Sequence, residues 1–471
     1  MKSSNYLRLG NWAEIFVATN LSFFYTFHIE SMKFLTGAML LTLFSAGFFL
    51  LLPGRTMLIQ NPAGVASNEP NVPAAQNPIV PIPVSSTPPS VPSPVILPGT
   101  AKVSSGDIAN QLPLANPPAV AKGIYLTGWS AGSASRLNSL IALIKRTELN
   151  AVVIDIKDYS GYLSYIVSST IARDSGAFRE IRILHPNSVI KRLHDEGIYV
   201  IGRITAFQDP ILAKAHPEWA LKNKTTGEVW KDKSGLEWMD PAAEPVWEYL
   251  TSIAKDGIDR GFDEINFDYI RFASDGDLLN IGFPFWDGKT QRHKIIGSFF
   301  DFLRSNLGEA KLSVDLFGLS TVNHDDLGIG QVIEDAYENF DYVSPMIYPS
   351  HFATGFLGYK SPAKNPYEII KYSMDRALER LTRLTTTTIE MNGTSTIKKT
   401  ITRERAPDEQ FRAKLRPWLQ DFDLGAIYNA AMVKSQISAV YDSNGSSTEK
   451  FGGWLLWNPA NVYTEAALQK E

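Results

Sequence analysis

The sequence predicts a (β/α)8 TIM barrel of the α/β class, preceded by a single N-terminal transmembrane helix and a Pro-rich linker. The barrel is predicted because eight β-rich segments alternate with helical segments over roughly 340 residues, a span typical of this fold. An uncharged apolar stretch predicts the transmembrane helix, and an abrupt rise in proline content predicts the linker. The chain is therefore long enough for one large domain with attachments.

The uncharged stretch is residues 34–52, FLTGAMLLTLFSAGFFLLL, which is nineteen residues long. A helix of this length crosses the hydrocarbon core of a bilayer. Three lysines and arginines precede the stretch and only Arg55 follows it closely, which favours a cytoplasmic N-terminus. We therefore expect residues 1–33 to be a cytoplasmic extension and the protein to be single-pass in the cell membrane, with an extracytoplasmic domain. A cleaved signal peptide is the alternative.

Residues 53–120 are assigned to the linker. Within them, residues 77–99 (NPIVPIPVSSTPPSVPSPVILPG) are rich in proline, serine and valine and almost uncharged. Frequent proline disfavours helices and strand pairing, so the segment is expected to be an extended, semi-rigid spacer. The predicted barrel occupies residues 121–463, and the spacer would hold it away from the lipid.

The barrel prediction depends on eight strands, each apolar and bounded by turn residues. They are GIYLTGW (123–129), NAVVIDIKD (150–158), IYVIGRITAF (198–207), FDEINFDYIRF (262–272), KLSVDLFG (311–318), FDYVSPMIYPS (340–350), KLRPWLQDFD (414–423) and FGGWLLWNP (451–459). A doubly wound sheet is the alternative, but LTGWSAGSAS after the first strand lacks the glycine spacing of a phosphate-binding loop.

Helical segments with apolar periodicity separate these strands. They cover residues 133–145, 185–197, 245–259, 292–307, 330–337, 366–383 and 426–441. One segment interrupts the alternation: residues 383–409 have little core-forming character. We predict that they form a mobile insertion before the seventh strand.

Acidic residues inside the fourth strand indicate a functional lumen. Strand alternation places Glu264, Asn266 and Asp268 on the face opposite the apolar residues. Because the apolar face of a barrel strand meets the helices, the polar face should point into the barrel, with the charged groups near the C-terminal strand ends where catalytic residues of this fold lie. A buried ion network is the alternative for any single member, above all for Glu264, which lies lower. The neighbouring strands repeat the pattern with Asp155, Lys157, Arg203, Thr205, Ser313 and Asp315.

Two inward carboxylates on adjacent strands are typical of glycoside hydrolysis. Asp268 is the predicted nucleophile, and Lys157 and Arg203 are expected to favour its ionised form. Asp315 is the predicted general acid, because a poorly solvated position with few cations keeps its proton. Asp155 is expected to bind sugar hydroxyls or to fix Lys157.

Further substrate-binding residues are predicted at the ends of the strands, where aromatic faces can stack on sugar rings. These candidates are Asn266, Tyr348, Trp418, Gln420 and Trp457, with Trp230, Trp238 and Trp286 as additional aromatic residues in long loops. We predict no cofactor and no metal ion.

Composition excludes several other classes of function. The chain has no cysteine, which excludes disulfides, thiolate catalysis and cysteine-ligated zinc. Its formal net charge of -4 gives no indication of a nucleic-acid partner. The expected partners are therefore a polysaccharide or oligosaccharide substrate and the membrane.

The order of several segments resembles a known family. The segments KGIYLTGW, VIDIKD, GRITAF, FDEINFDYIRF, SVDLFG, SPMIYPSHF and RPWLQDFD occur in this order. They are similar to those of the "putative glycosyl hydrolase domain" family, domain of unknown function 4015. The resemblance covers about residues 121–463 and implies a barrel fold and a hydrolase activity.

Two better understood glycosidase types resemble parts of the chain. The α-amylase type has an Asp nucleophile at the end of its fourth strand and a Glu acid on its fifth. Asp268 and Asp315 are similarly placed, with Asp replacing the Glu and with Asn266 where that type has Arg. The chitinase type has an acidic strand resembling GFDEINFDYI, but its acid position is Ile270 here, and Pro349 follows MIY where an Asp is usual.

Two alternative functions stay open. The first is a barrel that binds glycans without cleaving them, which the departures at Asp315 and Ile270 allow. The second is a metal-dependent deacetylase or amidase, for which none of the seven histidines forms an HxxxH pair. His351, which follows the sixth strand, is the one histidine placed to contact a substrate.

Overall fold

The structure, a computed structural model, describes residues 106–392, 395–444 and 448–470. Eight parallel strands close into a barrel, with the first strand hydrogen-bonded to both the second and the eighth. The predicted barrel and all eight predicted strands are therefore confirmed. The strands are β1 Ala121–Leu126, β2 Ala151–Lys157, β3 Tyr199–Thr205, β4 Glu264–Asp268, β5 Leu312–Phe317, β6 Tyr342–Met346, β7 Lys414–Leu415 continued by Trp418–Gln420, and β8 Gly453–Trp457.

Seven main helices connect the eight strands. They are α1 Ala134–Lys145, α2 Pro186–Asp195, α3 Glu244–Arg260, α4 Arg292–Leu307, α5 Ile333–Asn339, α6 Pro366–Thr382 and α7 Ala430–Asn444. The loops after β1, β2 and β3 add the short helices Gly128–Gly132, Thr170–Ser175 and Pro210–Ala215. A single 3-10 turn, Glu465–Ala467, follows β8.

The apolar face of each strand packs against these helices. In β4, Ile265 and Phe267 are fully buried, and Phe267 meets Phe299 of α4 edge-on at a ring-centroid distance of 6.4 Å. Burial of this kind stabilises the fold by about 25 cal/mol per Å² of apolar surface. The strand register is therefore fixed, and a fixed register directs the polar face of β4 into the lumen.

Two long loops lie side by side over the C-terminal ends of β3 and β4. The loop after β3 and the loop after β4 form a short antiparallel pair, Lys222–Asn223 with Ile281–Gly282. Asp240 in the first loop also accepts hydrogen bonds from the backbone of Phe285 (2.8 Å) and Trp286 (3.1 Å) in the second. These contacts make the two loops one cover over that side of the rim.

The predicted insertion before the seventh strand contains a β-hairpin. Its strands are Arg383–Asn392 and Ser395–Glu404, paired antiparallel. Since an isolated two-stranded hairpin is only marginally stable by itself, the mobility of residues 383–409 stays a prediction.

The last residues of the predicted linker bind to the barrel. Leu114 donates a backbone hydrogen bond to Asp263 Oδ1 (2.6 Å), and Gln111 donates one to the carbonyl oxygen of Arg260 (3.0 Å). Both partners precede β4, so this contact lies at the end of the barrel where the strands begin. The predicted anchor, residues 34–52, lies outside the described residues. Within the described ranges, every helix is too short or too polar to span a bilayer.

Candidate active site

A single guanidinium joins three carboxylates at the C-terminal ends of β2 to β5. Arg203 Nη1 donates to Asp155 Oδ1 at 2.6 Å, and Arg203 Nη2 donates to Asp268 Oδ2 at 2.5 Å. Arg203 Nε lies 4.0 Å from Asp315 Oδ2. The structure thus brings both predicted catalytic residues to one point in the lumen, on the same side of the sheet.

Asp315 is almost completely buried in this cluster. Its Oδ1 accepts hydrogen bonds from Asn266 Nδ2 (2.9 Å) and from Trp418 Nε1 (2.8 Å). Burial, followed by the negative charge of Asp268, raises the pKa of Asp315 to about 8. A carboxyl group with this pKa carries a proton at neutral pH, which a general acid requires.

Asp268 is the last residue of β4 and is held at both oxygens. While Oδ2 faces Arg203, Oδ1 accepts a hydrogen bond from the backbone N–H of Tyr269 at 2.6 Å. Tyr269 has a φ of 55°, in the left-handed region that a bulky residue rarely adopts. Such strain costs about 1–3 kcal/mol and is concentrated at functional sites. The turn therefore fixes the direction of the Asp268 carboxylate.

Asp155 is bound to protein groups at both of its oxygens. The hydroxyl of Tyr125 donates to Asp155 Oδ2 at 2.5 Å, opposite the bond from Arg203. Burial raises the pKa of Asp155 to about 6. The expected contact with Lys157 is replaced by these two, so Asp155 positions Arg203. Tyr125 was missed by the sequence reasoning, although its alternation with Gly123 along β1 would have placed it on the lumen face.

The structure corrects the expected position of Lys157. The pairing of β2 with β3 shifts register between Asp155 and Lys157, which places Lys157 opposite Ile204. Paired residues share a face, and Ile204 belongs to the helix-facing set, so the bulge turns Lys157 out of the lumen. Its ammonium pairs with Asp209 at 2.9 Å, not with Asp268, and both partners are buried. Alternation alone could not reveal this irregularity.

Gln420 also differs from its expected role. Its Oε1 accepts a hydrogen bond from the backbone of Ser350 (3.2 Å), and its Nε2 donates to the carbonyl oxygen of Phe422 (2.9 Å). Both ends of the side chain are therefore used in holding the loops after β6 and β7. This places Gln420 in the support of the rim and not on a sugar-binding surface.

The predicted aromatic residues surround the carboxylates but are covered. The Trp457 ring stacks on Tyr125 at 3.9 Å and lies 5.2 Å from the Arg203 guanidinium. Trp418 is fully buried with its indole on Asp315, and Tyr348 is fully buried beside the same carboxylate. Among the loop residues, Trp230 and Trp238 are also buried.

A small cleft opens beside these residues at the ends of β5 and β6. Its walls are Phe317, Leu319, Met346, Tyr348, His351 and Phe352. In the described part of the chain, the Tyr348 hydroxyl and His351 Nε2 are buried without a hydrogen-bond partner. Burial lowers the pKa of His351 to about 4, so the ring is neutral. Unpartnered buried groups of this kind are usually satisfied by water or a ligand.

The catalytic candidates are almost closed off in this conformation. Asp268 is 3% exposed and Asp315 is 1% exposed. Access of a ligand to these two carboxylates would require displacement of the side chains above them.

A parallel eight-stranded barrel with carboxylates at its C-terminal rim is an arrangement that many glycoside hydrolases share with other enzymes of this fold. Residues 123–463 match the family described as "Putative glycosyl hydrolase domain", and the chain belongs to this family. None of the curated proteins matches the chain.

Several solved structures are similar to the chain. A hypothetical protein from Ruminiclostridium thermocellum is 39% identical over 44% of this chain and 98% of its own, with a TM-score of 0.38. A chitobiase from Flavobacterium johnsoniae is 10% identical over 74% of this chain and 47% of its own (TM-score 0.44). An alpha-L-fucosidase from Paenibacillus thiaminolyticus is 11% identical over 74% and 48% (TM-score 0.43). The chain thus spans about half the length of these two enzymes.

Proposed function

We propose that the protein is a membrane-anchored, extracytoplasmic glycoside hydrolase that cleaves a polysaccharide with Asp268 and Asp315. The observation that carries this proposal is the meeting of Asp155, Asp268 and Asp315 at one guanidinium. It leaves Asp315 protonated and Asp268 paired with a cation. The division into one acid and one carboxylate is what glycosidic cleavage needs.

In the proposed reaction, the Asp268 carboxylate attacks the anomeric carbon while the bond to the leaving oxygen breaks. The proton of Asp315 passes to that oxygen, and the leaving sugar departs. Water then attacks the glycosyl–Asp268 ester, its proton returns to Asp315, and the product is released. Arg203 balances the charge of Asp268 in the free enzyme, and Asn266 and Trp418 orient Asp315.

The test is release of new reducing ends from a panel of polysaccharides by the full-length chain. We expect release by the wild type and loss of release in Asp268→Asn. Asp301→Asn is the matched control, because Asp301 is an exposed carboxylate on the outer helix α4. Normal release by Asp268→Asn with its native fold intact would remove Asp268 as the nucleophile.

A second candidate function is a glycan-binding barrel without hydrolytic activity. It is favoured by the near-complete burial of Asp268 and Asp315. In this case the same polysaccharide panel would give saturable binding with no new reducing ends. Binding would then survive in both Asp268→Asn and Asp315→Asn.

The membrane part of the proposal comes from residues 34–52, an uncharged stretch of nineteen residues. Its test is extraction of cell membranes at alkaline pH. We expect the full-length chain to stay with the membrane, and a chain lacking residues 34–52 to be released. Recovery of the intact chain in the soluble fraction would contradict anchoring.

A further inference from the structure

Arg271 lies three residues after Asp268 and is 2% exposed. Its Nη1 donates to the Ser274 hydroxyl at 2.9 Å and to the carbonyl oxygen of Phe272 at 3.2 Å. Within the described ranges, its Nε and Nη2 have no hydrogen-bond partner and no carboxylate pairs with it. The guanidinium is thus buried with one edge unused.

The other buried arginines of the described chain all have carboxylate partners. Arg203 pairs with Asp155 and Asp268, and Arg416 pairs with Glu264. The two remaining pairs are Arg182 with Asp158 and Arg380 with Glu334. A buried charge without a partner is strongly unfavourable, so Arg271 is an exception that needs a cause.

The surroundings of Arg271 indicate a binding role. Its guanidinium lies 4.5 Å from the Trp238 ring and 5.1 Å from the Phe317 ring. The Trp238 indole is fixed by a hydrogen bond to Asp232 Oδ2 at 2.9 Å. Phe317 is also a wall of the cleft at Tyr348, so one aromatic ring contacts both the cleft and the guanidinium. Burial lowers the pKa of Arg271, and the nearby negative charges of Asp275, Asp268 and Asp232 offset this effect only in part.

The unused edge has the geometry of a carboxylate-binding site. Nε and Nη2 of a guanidinium donate two parallel hydrogen bonds, which match the two oxygens of a carboxylate.

We propose that Arg271 binds the carboxylate of an acidic sugar residue, so that the substrate is a uronic-acid-containing polysaccharide. This inference rests on the proposed hydrolase function and names its substrate class. A cation close enough to Asp268 to interact with its charge would favour a polymer that carries an anion near the scissile bond.

The first test needs no variant. Acidic polysaccharides are compared with the same polymers after chemical reduction of their carboxyl groups, which keeps the linkages and removes the charge. With the full-length chain, kcat/KM for the native polymer should exceed that for the reduced one by about 10–100-fold. Equal rates on both polymers, or a preference for neutral or sulfated ones, would overturn the inference while leaving the hydrolase function intact.

The second test separates the two proposals. In the full-length Asp268→Asn chain, binding of an oligouronate should weaken about tenfold or more when Arg271→Gln is added, and Arg271→Lys should recover part of it. Arg292→Gln is the matched control, because Arg292 lies over Phe272 and Trp286 in the adjoining loop. Thermal unfolding shows whether each variant is folded. Weakened binding in the Arg271 variant without any cleavage by the wild type would uphold Arg271 as a residue that binds acidic sugars, but would reject the hydrolase function. Unchanged oligouronate binding in folded Arg271→Gln would reject the inference.

Discussion

The lumen of the barrel contains two ionic regions that differ in their charge balance. In the lower region, Arg416 forms a two-pronged ion pair with Glu264, and both side chains are fully buried. In the upper region, Arg203 faces three carboxylates. One acid and one base make a closed pair, whereas three acids and one base leave an excess of negative charge. The excess lies only at the rim, where catalysis takes place in this fold.

The two regions therefore solve the problem of buried charge differently. The lower pair is neutral without any proton transfer, as a structural element should be. The upper cluster approaches neutrality only when Asp315 holds a proton, as its raised pKa requires. A proton held in this way can be transferred to a leaving group, which the lower pair cannot do. If the upper region is catalytic and the lower region is structural, variants in the two regions should differ in their effects on activity and on stability.

The largest effect is expected for Asp268→Asn. Removing a nucleophile should lower kcat by at least about 10⁴-fold, because an amide cannot form the glycosyl ester. Steady-state release of reducing ends measures the loss, and thermal unfolding checks the fold. A fall in kcat of less than tenfold would show that the upper region, like the lower one, is a structural ion network.

The next effect is on stability and concerns the lower region. Glu264→Gln should lower the free energy of unfolding by about 3–5 kcal/mol, because it leaves the Arg416 charge buried and unpaired. The double variant Glu264→Met, Arg416→Met should recover most of this loss, since it removes both charges. Chemical denaturation measures both. A stable Glu264→Gln chain would contradict the structural assignment of this pair.

Asp315→Asn should raise the free energy of unfolding at neutral pH, whereas Glu264→Gln lowers it. Because the pKa of Asp315 is about 8 in the folded chain and near 4 in an unfolded one, the folded chain binds more protons between these values. Stability should therefore fall as pH rises from 4 to 8 in the wild type, and less steeply in the variant. At pH 7 the variant should be more stable by roughly 4 kcal/mol, while its activity falls about 10²–10⁴-fold. Thermal unfolding across this pH range measures the change of stability with pH in both proteins. Equal slopes in the wild type and in Asp315→Asn would refute the raised pKa of Asp315.

The pH dependence of activity also tests whether Asp315 is the general acid. The acid form of Asp315 is lost as pH rises through about 8, so kcat/KM of the wild type should decline tenfold per pH unit above that value. Asp301→Asn should leave the profile unchanged. A profile that stays flat to pH 10 would exclude Asp315 as the general acid.

The smallest effect is expected for Tyr125→Phe. Loss of the hydrogen bond to Asp155 should free Arg203 slightly and lower kcat/KM about 5–10-fold, which corresponds to roughly 1 kcal/mol. Tyr162→Phe is the control, since this tyrosine lies in the loop after β2. Unchanged kinetics would show that the position of Arg203 does not depend on Asp155.

Most of the barrel could be predicted from the sequence because it depends on local periodicity. Alternation in FDEINFDYIRF placed Asp268 inside, and the same rule placed Asp155, Arg203 and Asp315 on the lumen face. The rule fails where one residue is inserted, as the bulge before Lys157 shows. The sequence pattern of a single strand cannot reveal such an insertion, because the shift in register is defined by the hydrogen bonds to the neighbouring strand.

Other features depended on contacts between distant segments. Gln420 forms hydrogen bonds with the loops after β6 and β7, which approach each other only in the folded chain. Arg271 contacts the rings of Trp238 and Phe317, which are distant from it in the sequence. Nothing in the composition near either residue indicates these neighbours. A poorly solvated position was expected for Asp315, but the burial of Asp268 was not, since the sequence gives the direction of a side chain and not what covers it.

The point at which the incoming chain joins the barrel has a further consequence. Gln111 and Leu114 are held at the floor, where the strands begin, through Arg260 and Asp263. Residues 111–114 therefore lie at the end of the barrel opposite Arg203 and its carboxylates. Under the proposed function, this segment would leave the rim free, so that a long polysaccharide could bind there through its middle as well as through its end.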